Sequence, residues 1–290
     1  MPLIQRQAPY PHWEFTDPAS GDQLRLVPDR GGLVTGWVCC GRELLYFDAE
    51  RFADPGKSVR GGIPVLFPIC GNLPGNRLEL AQGSYPIAQH GFARDLPWAI
   101  RLLDDLRGVR LSLADSPATR AAFPFPFELV LELRLAPSAL AIIAKVEHRF
   151  EAGQGPEPMP FSLGLHPYFA VSSLAAAALE GLPPRCFDHL PMAEADTASQ
   201  LARLEQGVDF LCQPSGPVRL LDREAVYTIT LQPSAPLDLA VVWSEPPRPM
   251  VCLEPWTAPR GALISGERRL ELAAGEELVL DCRYRIEPLA

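Results

Sequence analysis

The chain has 290 residues, of which 47% are hydrophobic and 21% charged, enough apolar material for a substantial core and too much for wholesale disorder. Its formal net charge of −9 offers no basic surface for DNA, RNA or an anionic membrane. No stretch is long and apolar enough for a membrane span, and Met1–Trp13 lacks the apolar run of a signal peptide, so a soluble cytoplasmic protein is expected.

Probable strands come first at Leu24–Val27 and Leu33–Cys39. The seven cysteines include the adjacent pair Cys39-Cys40 but no Cys-x-x-Cys. They read as reduced core residues rather than a disulfide framework or a zinc site. Arg60-Gly61-Gly62-Ile63-Pro64 follows, where two glycines let backbone approach a ligand; a plain turn before a buried strand is the competing reading. No glycine pattern here forms a phosphate loop.

Gln89-His90-Gly91-Phe92-Ala93-Arg94 comes next. In extended backbone His90 and Arg94 share a face and can bind hydroxyls or an anion; a surface pair is the alternative. Ala99–Leu103 and Val109–Leu113 form a hairpin around Asp104–Gly108. Phe127 to Leu135 has period two, with Phe127, Leu129, Leu131, Leu133 and Leu135 on one face. Ala136–Ala139 then turns the chain into Leu140–Phe150, a second hairpin. His148 reads as solvated, in a polar register beside Arg149 and Glu151.

Leu163-Gly164-Leu165-His166-Pro167-Tyr168-Phe169 surrounds His166 with apolar residues, which argues for burial and a lowered pKa. A satisfied core histidine is the bland reading. Ser173–Leu179 and Thr197–Leu204 are weak helix candidates. His12 and His189 lack comparable surroundings. Asp209 is indistinguishable by composition from a loop aspartate. Further strands fall at Val218–Leu221, Val226–Leu231, Leu239–Trp243 and Met250–Leu253. Cys252-Leu253-Glu254-Pro255-Trp256 places a carboxylate beside an indole, where burial would raise its pKa; the indole could stack on a sugar face. An exposed strand-end carboxylate is the alternative. Leu278, Leu280, Cys282, Tyr284 and Ile286 alternate with polar residues in a last strand. Thirty-two prolines break long helices. Many short strands with Pro/Gly turns and no linker-like tract predict an all-β sandwich, in one domain spanning 1–290.

Taken in order, Arg60-Gly61-Gly62-Ile63-Pro64, His90-Gly91-Phe92-Ala93-Arg94, Leu165-His166-Pro167-Tyr168-Phe169 and Glu254-Pro255-Trp256-Thr257 resemble the aldose 1-epimerase (mutarotase) superfamily. The similarity runs from about Leu24 to Ile286 and is nearest the hexose-6-phosphate 1-epimerase branch. The resemblance implies a large antiparallel β-sandwich (the galactose mutarotase-like supersandwich) with a sugar cleft on one sheet. It implies catalysis by Glu254 as general base on the anomeric hydroxyl and His166 as general acid on the ring oxygen. His90 would hydrogen-bond the ring oxygen or a neighbouring hydroxyl. Arg60, Arg94, Asp209 and Trp256 would bind substrate, though the flanks of Asp209 depart from the family pattern. The reaction would use no cofactor and no metal, because nothing is oxidised and no group leaves. The partner would be a small-molecule aldose or hexose phosphate, bound by a monomer or weak homodimer. Two other readings stay open: a non-catalytic sugar-binding or regulatory protein on the same scaffold, and a glycoside hydrolase, which needs a second carboxylate.

Overall fold

In the computed structural model, residues 2–150 and 158–289 are described. Glu151, named above as a neighbour of His148, lies outside them. Two large antiparallel sheets dominate. The first has eight strands in the order Ala177–Glu180, Val218–Asp222, Tyr227–Gln232, Glu277–Pro288, Ala139–His148, Phe127–Ala136, Gly108–Ala114 and Ala99–Leu102. The second runs Ala193–Asp196, Arg185–Asp188, Val208–Cys212, Leu239–Ser244, Met250–Trp256, Gly164–Leu165 and Val65–Leu66, with Tyr168–Ala170 also paired to Met250–Trp256. A five-stranded sheet covers Leu3 to Glu43.

Period-two patterning builds the core. Phe127, Leu129, Leu131, Leu133 and Leu135 are all buried, and register pairs Phe127 with His148 and Leu135 with Leu140. The two sheets share one apolar cluster, with Leu129 and Leu131 from the first and Phe210, Val242, Val251 and Leu253 from the second. Tyr284 crosses between them and donates its hydroxyl to Leu253 O at 3.1 Å.

His148 is not solvated. It follows the parity of Ile142, Ala144 and Val146, all inward, and is fully buried. Its Nδ1 lies 3.1 Å from Leu272 O, and Phe125 and Phe150 flank its ring. The charged residue beside it in sequence has the opposite parity, which is why composition misleads there. The helix expected at Ser173–Leu179 is instead a turn followed by the edge strand Ala177–Glu180. The one at Thr197–Leu204 shortens to Thr197–Leu201, capped by the Asp196 side chain. The first two strands, Leu3–Arg6 and His12–Thr16, carry no clear alternation and went unread.

Among the described residues no helix is long and apolar enough to cross a membrane. Six cysteines are buried free thiols and Cys40 is exposed.

Candidate active site

The strand Met250–Trp256 is buried along its whole length. Alternation sends Val251 and Leu253 into the shared core. Cys252 and Trp256 join separate apolar clusters on the opposite face, and Glu254 lies between them. Gly164 pairs with Trp256 and Tyr168 with Cys252. That register carried through puts His166 opposite Glu254. The side chains meet, with His166 Nε2 3.3 Å from Glu254 Oε1. The fold thus brings together residues 88 positions apart through the strand pairings that flank His166 on either side.

Glu254 is shielded from water, and the His166 side chain is 13% exposed toward the cleft. Glu254 is 1% exposed. Burial, and then the nearby charge of Asp209, hold its pKa well above the carboxylate range. Trp256 Nε1 donates to Glu254 Oε2 at 3.0 Å and partly offsets this. His166 stacks on Tyr168, with ring centroids 4.7 Å apart and planes 12° from parallel. Its pKa is lowered to about 3, first by burial and then by the cation of Arg94. Its Nδ1 has no hydrogen-bond partner, so an imidazolium would bury an orphan N–H, a further cost.

His90 reaches the same place by a different backbone. It is not extended: φ is +67°, left-handed. Gly91 follows at φ +71°, where a Cβ would stand 2.1 Å from Phe67 O. Arg94 lies in the short 3-10 turn Ala93–Asp95. The shared-face argument for His90 and Arg94 therefore fails in its geometry, although both side chains line one cleft. Gly71 N donates to His90 Nδ1 at 3.1 Å, and His90 N donates to Gly71 O at 2.6 Å. The ring proton is thereby fixed on Nε2. Burial lowers the pKa of His90 well below the usual value, which favours the neutral ring.

The cleft has a volume of about 310 Å³, and Arg60, His90, Arg94, His166, Asp209, Trp243, Glu254, Trp256 and Arg260 all contribute to its lining. Every site residue expected from sequence is therefore gathered in one place. Three differ in detail. Trp256 is 1% exposed, enclosed by His90 edge-on and His189 near-parallel. It holds Glu254 rather than offering an open face, and the half-buried Trp243 is the more accessible indole. Arg60 is gripped by Glu245 through Nε at 2.9 Å and Nη2 at 3.3 Å, with its guanidinium carbon 5.5 Å from the Trp243 ring centroid. Asp209 is no loop residue. It sits in the strand Val208–Cys212, and its two oxygens accept from His189 Nδ1 at 2.7 Å and Arg260 Nη2 at 3.1 Å.

His189, Arg260 and Trp243 are the site residues that sequence reasoning missed. Only the two-residue spacing of His189 from Phe187, just past the end of the strand Arg185–Asp188, could have signalled it. The ligand atoms of His166, Cys252 and Glu254 lie within 4.8 Å of one another, as do those of Asp22, Cys39 and Cys40. In each group burial raises the pKa of a thiol, Cys252 and Cys39 respectively.

Known proteins share this architecture. A sequence model of the aldose 1-epimerase family matches residues 25–285. A protein of Cenchrus ciliaris, provisionally named a glucose-6-phosphate 1-epimerase, is 30% identical over 74% of this chain. A protein of Escherichia coli K12 with the same provisional name is 29% identical over 55% of it. The matched segments span 64% and 49% of those two relatives. A crystal structure of a protein from Synechocystis sp. PCC 6803 is 36% identical, covers 96% of each chain and superposes with a TM-score of 0.89. A galactose mutarotase-like protein of Lactobacillus casei ATCC 334, 21% identical over 94% of this chain and 100% of that one, shares the fold with a TM-score of 0.75. With a family match from Arg25 to Arg285 and the motif residues assembled in one cleft, this chain belongs to the aldose 1-epimerase family.

Proposed function

We propose that this protein interconverts the α and β anomers of a hexose 6-phosphate or free aldose by acid–base ring opening and closure. The observation that carries this reading is the buried contact between His166 Nε2 and Glu254 Oε1 at the cleft floor. Burial disfavours both charged forms. Burial therefore favours the arrangement with Glu254 protonated and His166 neutral, and the reacting arrangement is reached by passing that proton across the 3.3 Å contact to His166.

One proton is what the reaction needs at every stage. On opening, Glu254 as carboxylate takes the hydrogen from O1, protonated His166 gives one to O5, and the C1–O5 bond breaks to leave the aldehyde. Glu254 is then protonated and His166 neutral. The C1–C2 bond rotates. On closure the O5 hydroxyl adds to the other carbonyl face while His166 takes its proton and Glu254 returns one to O1. Atoms and charge balance, and the pair is restored. His90 Nε2–H would donate to the ring oxygen or a neighbouring hydroxyl, and Asp209 would accept from a hydroxyl. Those roles need no cofactor.

The branch of the curated relatives supports a phosphorylated hexose, and Arg60 and Arg94 both line the cleft. Arg94 is the freer of the two. It donates to Gln89 O at 2.9 Å and lies 3.8 Å from Asp95, whereas Arg60 is held in two bonds by Glu245. The decisive experiment follows anomeric proton exchange by NMR for glucose, galactose and glucose 6-phosphate. Acceleration of the phosphate is expected. Acceleration of free sugars alone would make the protein a general mutarotase. No acceleration of any sugar would refute the catalytic reading in favour of sugar binding alone. Arg94→Gln should raise KM for glucose 6-phosphate by roughly tenfold or more and leave free glucose near its wild-type value.

A further inference from the structure

His189 takes no part in the proton transfers above, yet it touches Asp209, which lines the cleft, and Trp256, which holds Glu254. It continues the strand Arg185–Asp188, and its backbone N–H donates to Asp209 O at 2.8 Å. Its Nδ1 lies 2.7 Å from Asp209 Oδ1. One residue thus holds Asp209 by main chain and side chain together. Arg260 donates to the other carboxylate oxygen, so Asp209 is an anionic acceptor and Nδ1 carries the imidazole proton. Arg260 is itself seated over Gly71, where a Cβ would come 2.3 Å from Arg260 Cγ.

The flat face of His189 does something separate. It lies 25° from parallel with Trp256, ring centroids 6.1 Å apart. Trp256 is confined on another side by His90, edge-on at 5.7 Å, and its Nε1–H holds Glu254. The His189 side chain is 2% exposed, so it is packed in place rather than free to swing into the cleft.

We infer that His189 is a positioning residue for anomer interconversion, setting Asp209 through Nδ1–H and setting Trp256, and through it Glu254, by the plane of its ring. The inference rests on the epimerase reading for its kinetic consequences, though not for its geometric ones.

The two functions separate by substitution. His189→Asn puts an N–H near the position of Nδ1 but has no ring. His189→Phe keeps a ring and loses the donor. His189→Phe should raise KM about tenfold with kcat within about twofold of wild type, and should leave the Trp256 indole N–H resonance in place. His189→Asn should keep KM within about threefold, lower kcat about tenfold and move that resonance. The resonance is assigned by its disappearance in Trp256→Phe and recorded without sugar. If the wild-type protein accelerates no anomer exchange, the epimerase reading fails, and the resonance alone still decides whether His189 positions Trp256. Equal kinetic effects in the two variants with an unmoved resonance, or no effect in either, would overturn the inference. Should either variant fail to fold, nitrogen-15 spectra of wild-type histidines serve instead. His189 protonated at Nδ1 is expected, and protonation at Nε2 alone would overturn it.

Discussion

At the residue scale, Glu254 carries opposite demands. A buried carboxyl suits proton exchange near neutrality, and it also weakens the fold. Its pKa is raised on folding, so above about pH 4.3 the unfolded chain sheds a proton that the native state keeps, and stability falls as pH rises through the raised value. His166 has the reverse sign. Its pKa drops to about 3, so stability is lost as pH falls from about 6.5 toward that value. Glu254→Gln should therefore abolish anomer exchange, by roughly 10²–10⁴-fold, while raising Tm at neutral pH by about 2–4 °C per kcal/mol of relieved penalty. The gain should vanish below about pH 4.3, where wild-type Glu254 is neutral in both states. Calorimetry across pH checks it, and a Tm loss at pH 7 would contradict the burial argument. Trp256→Phe keeps the aromatic bulk and removes the Nε1 donor; kcat should fall roughly tenfold or more, with KM little changed.

At the element scale, the legibility of the sequence follows the physics of each segment. Leu33–Cys39 and Phe127–Ala136 were readable because each forms one regular strand of seven or more residues, and in the latter alternation marks the core face. Ser173–Leu179 misled because a run of alanines favours helix only where no sheet edge competes, and there Ala177–Glu180 pairs with Val218–Asp222. The catalytic motifs were legible as unusual residue types, yet their geometry was not. Nothing local to His90 signals a left-handed residue except the glycine after it. Gly91→Ala should cost at least about 1–3 kcal/mol, from a strained φ and the approach to Phe67 O, and should displace His90. Denaturant unfolding and anomer exchange, measured on the same sample, test both parts. His189 and Arg260 were missed because their importance lies in long-range pairing, which single-sequence periodicity does not encode.

At the scale of the whole molecule, Asp209, Trp243, Glu254 and Trp256 are set into the main sheet, while Arg60, His90, Arg94 and Arg260 reach the cleft from turns and connecting segments. The sheet's share of the lining comes from Met250–Trp256, Val208–Cys212, Leu239–Ser244 and the segment around Gly164–Leu165, and the back of that sheet is the central core. Loss of activity and loss of fold should therefore coincide. Thermal inactivation and the circular-dichroism melt are expected to superimpose, and a midpoint for inactivation well below that for unfolding would show that the cleft opens locally.

The pairing of His166 opposite Glu254 makes the backbone ladder a ruler. Acid and base are separated by the interval between neighbouring strands, a length every antiparallel sheet repeats at roughly 4.5–5.5 Å between facing side chains. A slip of one residue in one segment would turn that segment's group away from the cleft and leave the other facing it. The spacing between the two groups is therefore set by hydrogen-bonded main chain on either side of their contact rather than by side-chain reach alone.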